Sequence, residues 1–190
     1  MPEPATSHRS RSPEYALLGL LYLQPDHGYN LHQRLIAELG GSWHISQSQS
    51  YTILKRLKQA GYAAANPVKQ VRLPALQSLK LTPAGRRRFT TWLQAPTGSS
   101  VRAIRLEFIT RLYFMEKIRP EQVQPMFTEQ VQAVQATLAR LERSLSALPE
   151  AQKVQRLSLQ LRIRQLDSTI AWLEVSRREF PGSTELTDAR

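Results

Sequence analysis

The sequence predicts a mainly α-helical chain of two domains, the first carrying a small pair of strands. Three observations carry that reading. Before residue 100, Pro25, Gly28, Gly40, Gly41, Gly61, Pro67, Pro74, Pro83 and Gly85 divide the chain into short segments. After Gly98 there is no glycine until Gly182, and apolar residues recur with a helical period throughout. Between the two regimes lie residues 94–100, small and polar with both breakers, the composition of a boundary.

In the first half, Pro13 and Glu14 suit the opening turn of a helix that runs to about Leu23, with Ser12 as its N-cap. A second helix spans 28–39, where Leu31, Leu35 and Leu39 share one face and Gly40 and Gly41 stop the run. Ser46 or Ser48 caps a third, which turns Ile53, Leu54 and Leu57 inward and ends at Ala60 and Gly61. Strands are expected over 62–68 and 76–81, around a loop that holds Lys69, Arg72 and Pro74. Thr82 then caps a fourth helix with Pro83 at its first position. Helix, helix, helix, strand, strand, helix is the order of a winged helix-turn-helix domain, here 13–95. The preceding residues 1–12 lack a hydrophobic signal core and read as a disordered arm.

The second half reads as three helices, over about 101–118, 121–148 and 150–180, broken at Pro120 and Pro149. In the middle one Phe127, Val131, Val134, Leu138, Leu141, Leu145 and Leu148 alternate spacings of four and three, an unbroken heptad seam. The last carries Leu159, Ile163, Leu166, Ile170 and Leu173 at the same spacing, and two long helices joined at a proline should fold back antiparallel. Leu157 and Leu161 form a second apolar stripe, which a second copy of the chain would cover. The expected fold class is therefore mainly α: a winged helix-turn-helix domain, then a helical, antiparallel coiled-coil-like dimerisation domain over 101–180 and a tail at 181–190.

Composition narrows the function. With 190 residues and no cysteine, the chain is long enough to form a core unaided, and thiol catalysis, disulfide scaffolds, iron–sulfur clusters and Cys-containing zinc sites are excluded. No apolar run approaches the roughly 20 residues of a membrane span, so no membrane partner is expected, and a cytoplasmic address follows by default. Residues 1–100 hold 12 Lys/Arg against 4 Asp/Glu, whereas 101–190 hold 14 against 11. A basic surplus concentrated in one domain is the footprint of a polyanion partner, and the absence of a long basic amphipathic helix favours nucleic acid over a membrane surface.

The third helix carries the chemistry. With its apolar residues turned inward, Gln47, Gln49, Tyr51, Thr52 and Lys55 lie near the outer face of its first two turns. A glutamine can address adenine bidentately and a threonine can bond either base type, so Gln49 is the expected base contact. Tyr51 and Lys55 suit phosphate oxygens, which set register without reading sequence.

The residues around this helix resemble the PadR-like family of winged-helix transcriptional regulators. The resemblance rests on Leu18-Gly19-Leu20-Leu21, His27-Gly28-Tyr29-Asn30-Leu31, residues 46–57 with Gln49 and Tyr51, Gly61-Tyr62, and Leu81-Thr82-Pro83-Ala84-Gly85-Arg86. It covers roughly residues 14–90. It implies a homodimer whose third helices enter successive major grooves of a pseudo-palindromic operator in double-stranded DNA. It also implies repression, and release by a small-molecule effector whose identity the sequence does not give. The family's operator contacts carry over best onto Gln49, Tyr51, Lys55 and Tyr29, and the wing would add Lys69, Arg72 and Lys80. Two positions depart from the pattern. The wing has Arg72-Leu73-Pro74 where the family has Gly-Arg-Pro, and Ser50 replaces an apolar residue, where its hydroxyl is expected to loosen the helix seat or bond the backbone.

Other residues invite blander readings. His27 suits a structural or N-capping task, and His8, His32 and His44 lack the spacing of a zinc site. Of Arg86, Arg87 and Arg88, one could touch phosphate, since three consecutive residues span about 200° of a helix. Trp43, Trp92, Trp172, Tyr113 and Phe114 read as core before they read as an effector pocket. No close carboxylate pair, no nucleophile beside a base and no phosphate-binding glycine loop is present, so neither an enzyme nor a cofactor is expected. Two binding alternatives stand beside the regulator: a general DNA-coating protein, and an adaptor whose heptad helices recruit another polypeptide.

Overall fold

The computed structural model describes residues 13–65 and 78–180. The arm, the tail, Ser12, and the wing residues Lys69, Arg72 and Pro74 therefore lie outside the described residues. The chain divides into two compact units, Met1–Ala95 and Pro96–Arg190.

The first unit is built around α1 (Glu14–Leu23), which packs on every other helix of the unit and buries Ala16 to Leu21 without a break. Its N-cap is Pro13, with no side-chain cap. A helix apolar on all sides is a central one. It leads to β1 (Asp26–His27) and α2 (Gly28–Leu39), which buries Leu31, Leu35 and Leu39. Gly40 holds a right-handed φ of −62°, so the stop of α2 does not use glycine's left-handed freedom. Helix α3 (Gln47–Gln59) opens at Ser46. It ends in a Schellman turn: Tyr62 N bonds Leu57 O, Gly61 N bonds Lys58 O, and Gly61 takes φ +72°.

Strands β2 (Ala63–Ala65) and β3 (Ser78–Leu81) are the described parts of the two expected strands, and β3 is central in a three-stranded antiparallel sheet ordered β1-β3-β2. Asp26 faces Leu79 and Ala63 faces Leu81. Strand β1 was not expected, because two polar residues carry no alternation and form a strand only by pairing with β3. Helix α4 (Pro83–Gln94) has Thr82 at its N-cap: its hydroxyl accepts from Gly85 N (3.1 Å) and donates to Gly61 O (2.6 Å). A Cβ at Gly85 would come within 2.0 Å of Tyr62 O, so only glycine lets α4 lie this close to the end of α3. Trp92 stacks on Tyr15 at 4.7 Å and Phe89 meets Tyr22 at 5.1 Å, which places these aromatics in the core between α1 and α4.

In the second unit, helix α5 covers residues 101–118 but is not regular. A π turn at Ile104–Phe108, in which Ile109 N reaches back five residues to Ile104 O, interrupts it. At this turn the Glu107 carboxylate pairs with Arg111 at 2.6 Å, both side chains buried, and Arg111 also donates to Thr97 (2.7 Å). A 3-10 turn from Pro120 precedes α6 (Val123–Ser146), and α7 (Lys153–Ser176) returns antiparallel along it. Both ends of the pair are tied. Arg156 donates to Leu145 O and Leu148 O at the turn, while at the open end Gln124 bonds Arg177 and Phe180 O.

Within the protomer the seam of α6 is only half used. Phe127, Val134 and Leu141 are buried, whereas Val131, Leu138 and Leu145, which alternate with them, stay partly open. On α7, Leu166 and Leu173 are buried and Ile170 is partly so, but Leu157 and Leu161 remain 64% and 59% exposed.

Candidate nucleic-acid interface

Helix α3 is seated by Ile53, Leu54, Leu57 and Ser50, all buried. The Ser50 hydroxyl is fully buried and meets His32 Nδ1 of α2 at 2.9 Å. The polar residue at this apolar position therefore bonds a side chain, not the backbone, and ties α3 to the helix before it. At the N-terminus Ser46 forms a capping box: its hydroxyl accepts from Gln49 N (3.2 Å), and Gln49 Oε1 accepts from Ser46 N (2.8 Å).

This box bears on Gln49. Its carbonyl oxygen is engaged, so reading adenine through both amide atoms would compete with the cap. Thr52 is constrained too, since its hydroxyl donates to Ser48 O (2.9 Å) and offers only lone pairs and a methyl outward. Gln47, Gln49, Thr52 and Lys55 are all exposed, with Gln47 and Gln49 on opposite flanks of the helix. Tyr51 is exposed but its ring rests over Gly28, where a Cβ would come within 2.8 Å of it. Glycine at the start of α2 thus leaves room for the Tyr51 ring, and the adjoining Tyr29 is half exposed. These residues are brought together; Lys80 is exposed but sits on β3, paired opposite Ala64.

Behind the helix, Glu14 of α1 pairs with Arg56 and Arg88 at 2.9 Å each, joining α1, α3 and α4. Burial alone would lower the Arg88 pKa, but Tyr15 and Glu14 outweigh it and hold it above its ordinary value. Arg88 lies over the rings of Tyr15 and Tyr62, and Arg86 over Tyr22, so two of the three consecutive arginines serve packing and Arg87 is exposed. His27 occupies the N-cap position of α2 but makes no side-chain cap; Asp26 there binds His27 N and Asn30 Nδ2. Among the described residues no cluster of three or more His, Asp or Glu is gathered as a metal would require. None of the described helices is long and apolar enough to cross a membrane.

Residues 17–91, which run from within α1 to within α4 and include the exposed face of α3, match the model of the transcriptional regulator PadR-like family. Over this domain the chain is similar to the PadR-like family. Residues 104–180 match a second model, Virulence activator alpha C-term. A curated relative, the negative transcriptional regulator PadR of Bacillus subtilis, is 29% identical over 137 residues, 71% of this chain and 74% of its own. Among solved structures, Bacillus subtilis PadR in complex with operator DNA matches at 24% identity and a TM-score of 0.41, covering 88% of this chain and 98% of that one. The Vibrio cholerae virulence activator AphA matches at 22% identity and a TM-score of 0.40, covering 88% and 97%. The matched family and the curated relative are transcriptional regulators.

The PadR-like signature residues have structural explanations here. Gly28 accommodates Tyr51, Gly61 closes α3, and Gly85 admits Tyr62 O. Sequence reasoning missed the His32–Ser50 bond and the outward position of Ser48. The helical period of 46–57 contained the second, and nothing in sequence spacing contained the first.

Proposed function

We propose that the chain is a homodimeric, sequence-specific DNA-binding repressor that presents α3 to the major groove of a pseudo-palindromic operator. The observation that carries this is the exposed polar face of α3, held on a buried seat and capped at its N-terminus, in a PadR-like domain with a surplus of eight basic charges in residues 1–100. Tyr51 and Lys55 grip phosphates and set register, and the outward polar side of the first two turns of α3 faces the bases. Tyr29 and Lys80 add phosphate contacts, as would Lys69 and Arg72 of the wing. Repression is the activity named for the curated relative.

The homodimer is supported by the exposed apolar stripe of α7 and by the half-used members of the α6 seam. Phe127, Val131, Val134, Leu138, Leu141, Leu145, Leu166, Ile170 and Leu173 hold the helix pair, and the stripe beside them receives the second copy. A small-molecule effector, implied by the family resemblance, completes the reading.

The test is a titration of the full chain against duplex DNA from upstream of its own gene and a scrambled duplex, each at two salt concentrations. A preference of roughly a thousandfold or more at physiological salt is expected. Equal, steeply salt-dependent binding to both that survives a search of random duplexes would make it a coating protein. No binding to either would favour the adaptor.

A further inference from the structure

Within the proposed DNA-binding reading, on which this rests, the geometry of α3 points to Ser48 and Thr52 as the base-reading residues and to Gln49 as a positioning residue. Successive residues of an α-helix are turned by about 100°. Relative to the middle of the face formed by buried Ser50, Ile53, Leu54 and Leu57, Ser48 is turned by about 170°, and Thr52 and Lys55 by about 150°. Gln49 and Gln47 lie at only about 90° and 70°. Ser48 therefore stands farthest from the domain core, directly below Thr52 on the next turn, and the Thr52 hydroxyl bonds its carbonyl.

Chemistry separates the roles further. Among the described residues the Ser48 side chain makes no hydrogen bond, so its hydroxyl can turn to donate or accept. Thr52 has spent its hydrogen on Ser48 O, which leaves an acceptor and a methyl. In the major groove these suit the amino groups of adenine or cytosine and the methyl of thymine, and they do not suit the acceptor-only edge of guanine. Gln49 is spent differently: with Oε1 holding Ser46 N and its own N–H held by Ser46 Oγ, it fixes the first turn that carries Ser48. Lys55, on the same side as Ser48 and Thr52, adds the charge that anchors this column to the backbone.

Selection from a pool of randomised duplexes tests the assignment, using the full chain and the variants Ser48→Ala, Thr52→Val and Gln49→Ala. Ser48→Ala and Thr52→Val should each flatten preference at one base position by about tenfold while affinity for unselected DNA stays unchanged. Gln49→Ala should weaken binding to all duplexes alike and leave the preferred sequence as it was. Circular dichroism of each variant confirms that the helix content is retained. An unchanged sequence profile in Ser48→Ala and Thr52→Val, or a changed base preference in Gln49→Ala, would overturn the assignment while leaving the DNA-binding reading intact. A wild-type chain that enriches no sequence would instead sink that reading itself.

Discussion

At Gly28, Gly61 and Gly85 the absence of a side chain decides a local structure, and each glycine does so differently. Gly28 leaves room for the Tyr51 ring, Gly61 supplies the left-handed turn after α3, and Gly85 admits a carbonyl oxygen. Their positions were legible in the sequence; the ring and the carbonyl they accommodate were not, because those partners come from other elements. The same limit applies to Ser50, whose His32 partner sits on α2 and whose bond no local period announces. On the proposed reading, residue-scale function is decided on the solvent side of α3. Lys55 is exposed there with no acidic partner among the described residues, so it is free to neutralise a phosphate. Lys55→Ala should weaken binding to all duplexes similarly and reduce the salt slope by about one unit, measured by titration at four or more salt concentrations. A loss confined to one sequence would make Lys55 a base reader.

Helix α3 is the element whose ends and seat the sequence described most fully. Its apolar residues, its stop at Gly61 and a serine cap were all readable, because each is a local property of the chain. The choice between Ser46 and Ser48 was left open by the serines alone; what separates them is Gln49, which stands at N3 of Ser46 and closes a capping box with it, whereas the N3 residue of Ser48 is Tyr51. The outcome separates two serines two residues apart: Ser46 closes the helix, and Ser48 faces outward. Ser46→Ala should therefore cost about 1 kcal/mol of stability by the loss of one capping bond, read as a lower denaturation midpoint. Ser48→Ala should leave that midpoint within about 0.5 kcal/mol, as exposed substitutions do. Helix α5 is the counter-example. Its span was legible, but the π turn at Ile104–Phe108 was not, because it accompanies a helix buried on several sides at once with an ion pair inside.

For the whole molecule, the apolar residues of α6 and α7 divide into a set packed within the protomer and the second stripe that the spacing already set apart from the heptad seam. Leu141 is 6% exposed and packs within the protomer, whereas Leu157 and Leu161 lie open. Replacing Leu157 and Leu161 together by glutamate should give a folded monomer, with unchanged helix content and halved mass in sedimentation equilibrium. Leu141→Glu should instead lower stability by about 2–5 kcal/mol, because it buries a charge in the seam. A dimer that survives the first pair of substitutions would place the interface elsewhere. What the sequence by itself determined was the fold class, the helix periods, the caps and glycine stops, and the helix that faces outward, all of which depend on residues close together along the chain. Only the tertiary structure decided that Asp26-His27 becomes a strand and that Ser50 bonds His32. It alone also showed which leucines of a continuous repeat are already buried within the protomer. The physical reason is common to all of these: a hydrogen bond or a buried face needs a partner from another element, and the sequence lists the partners without bringing them together.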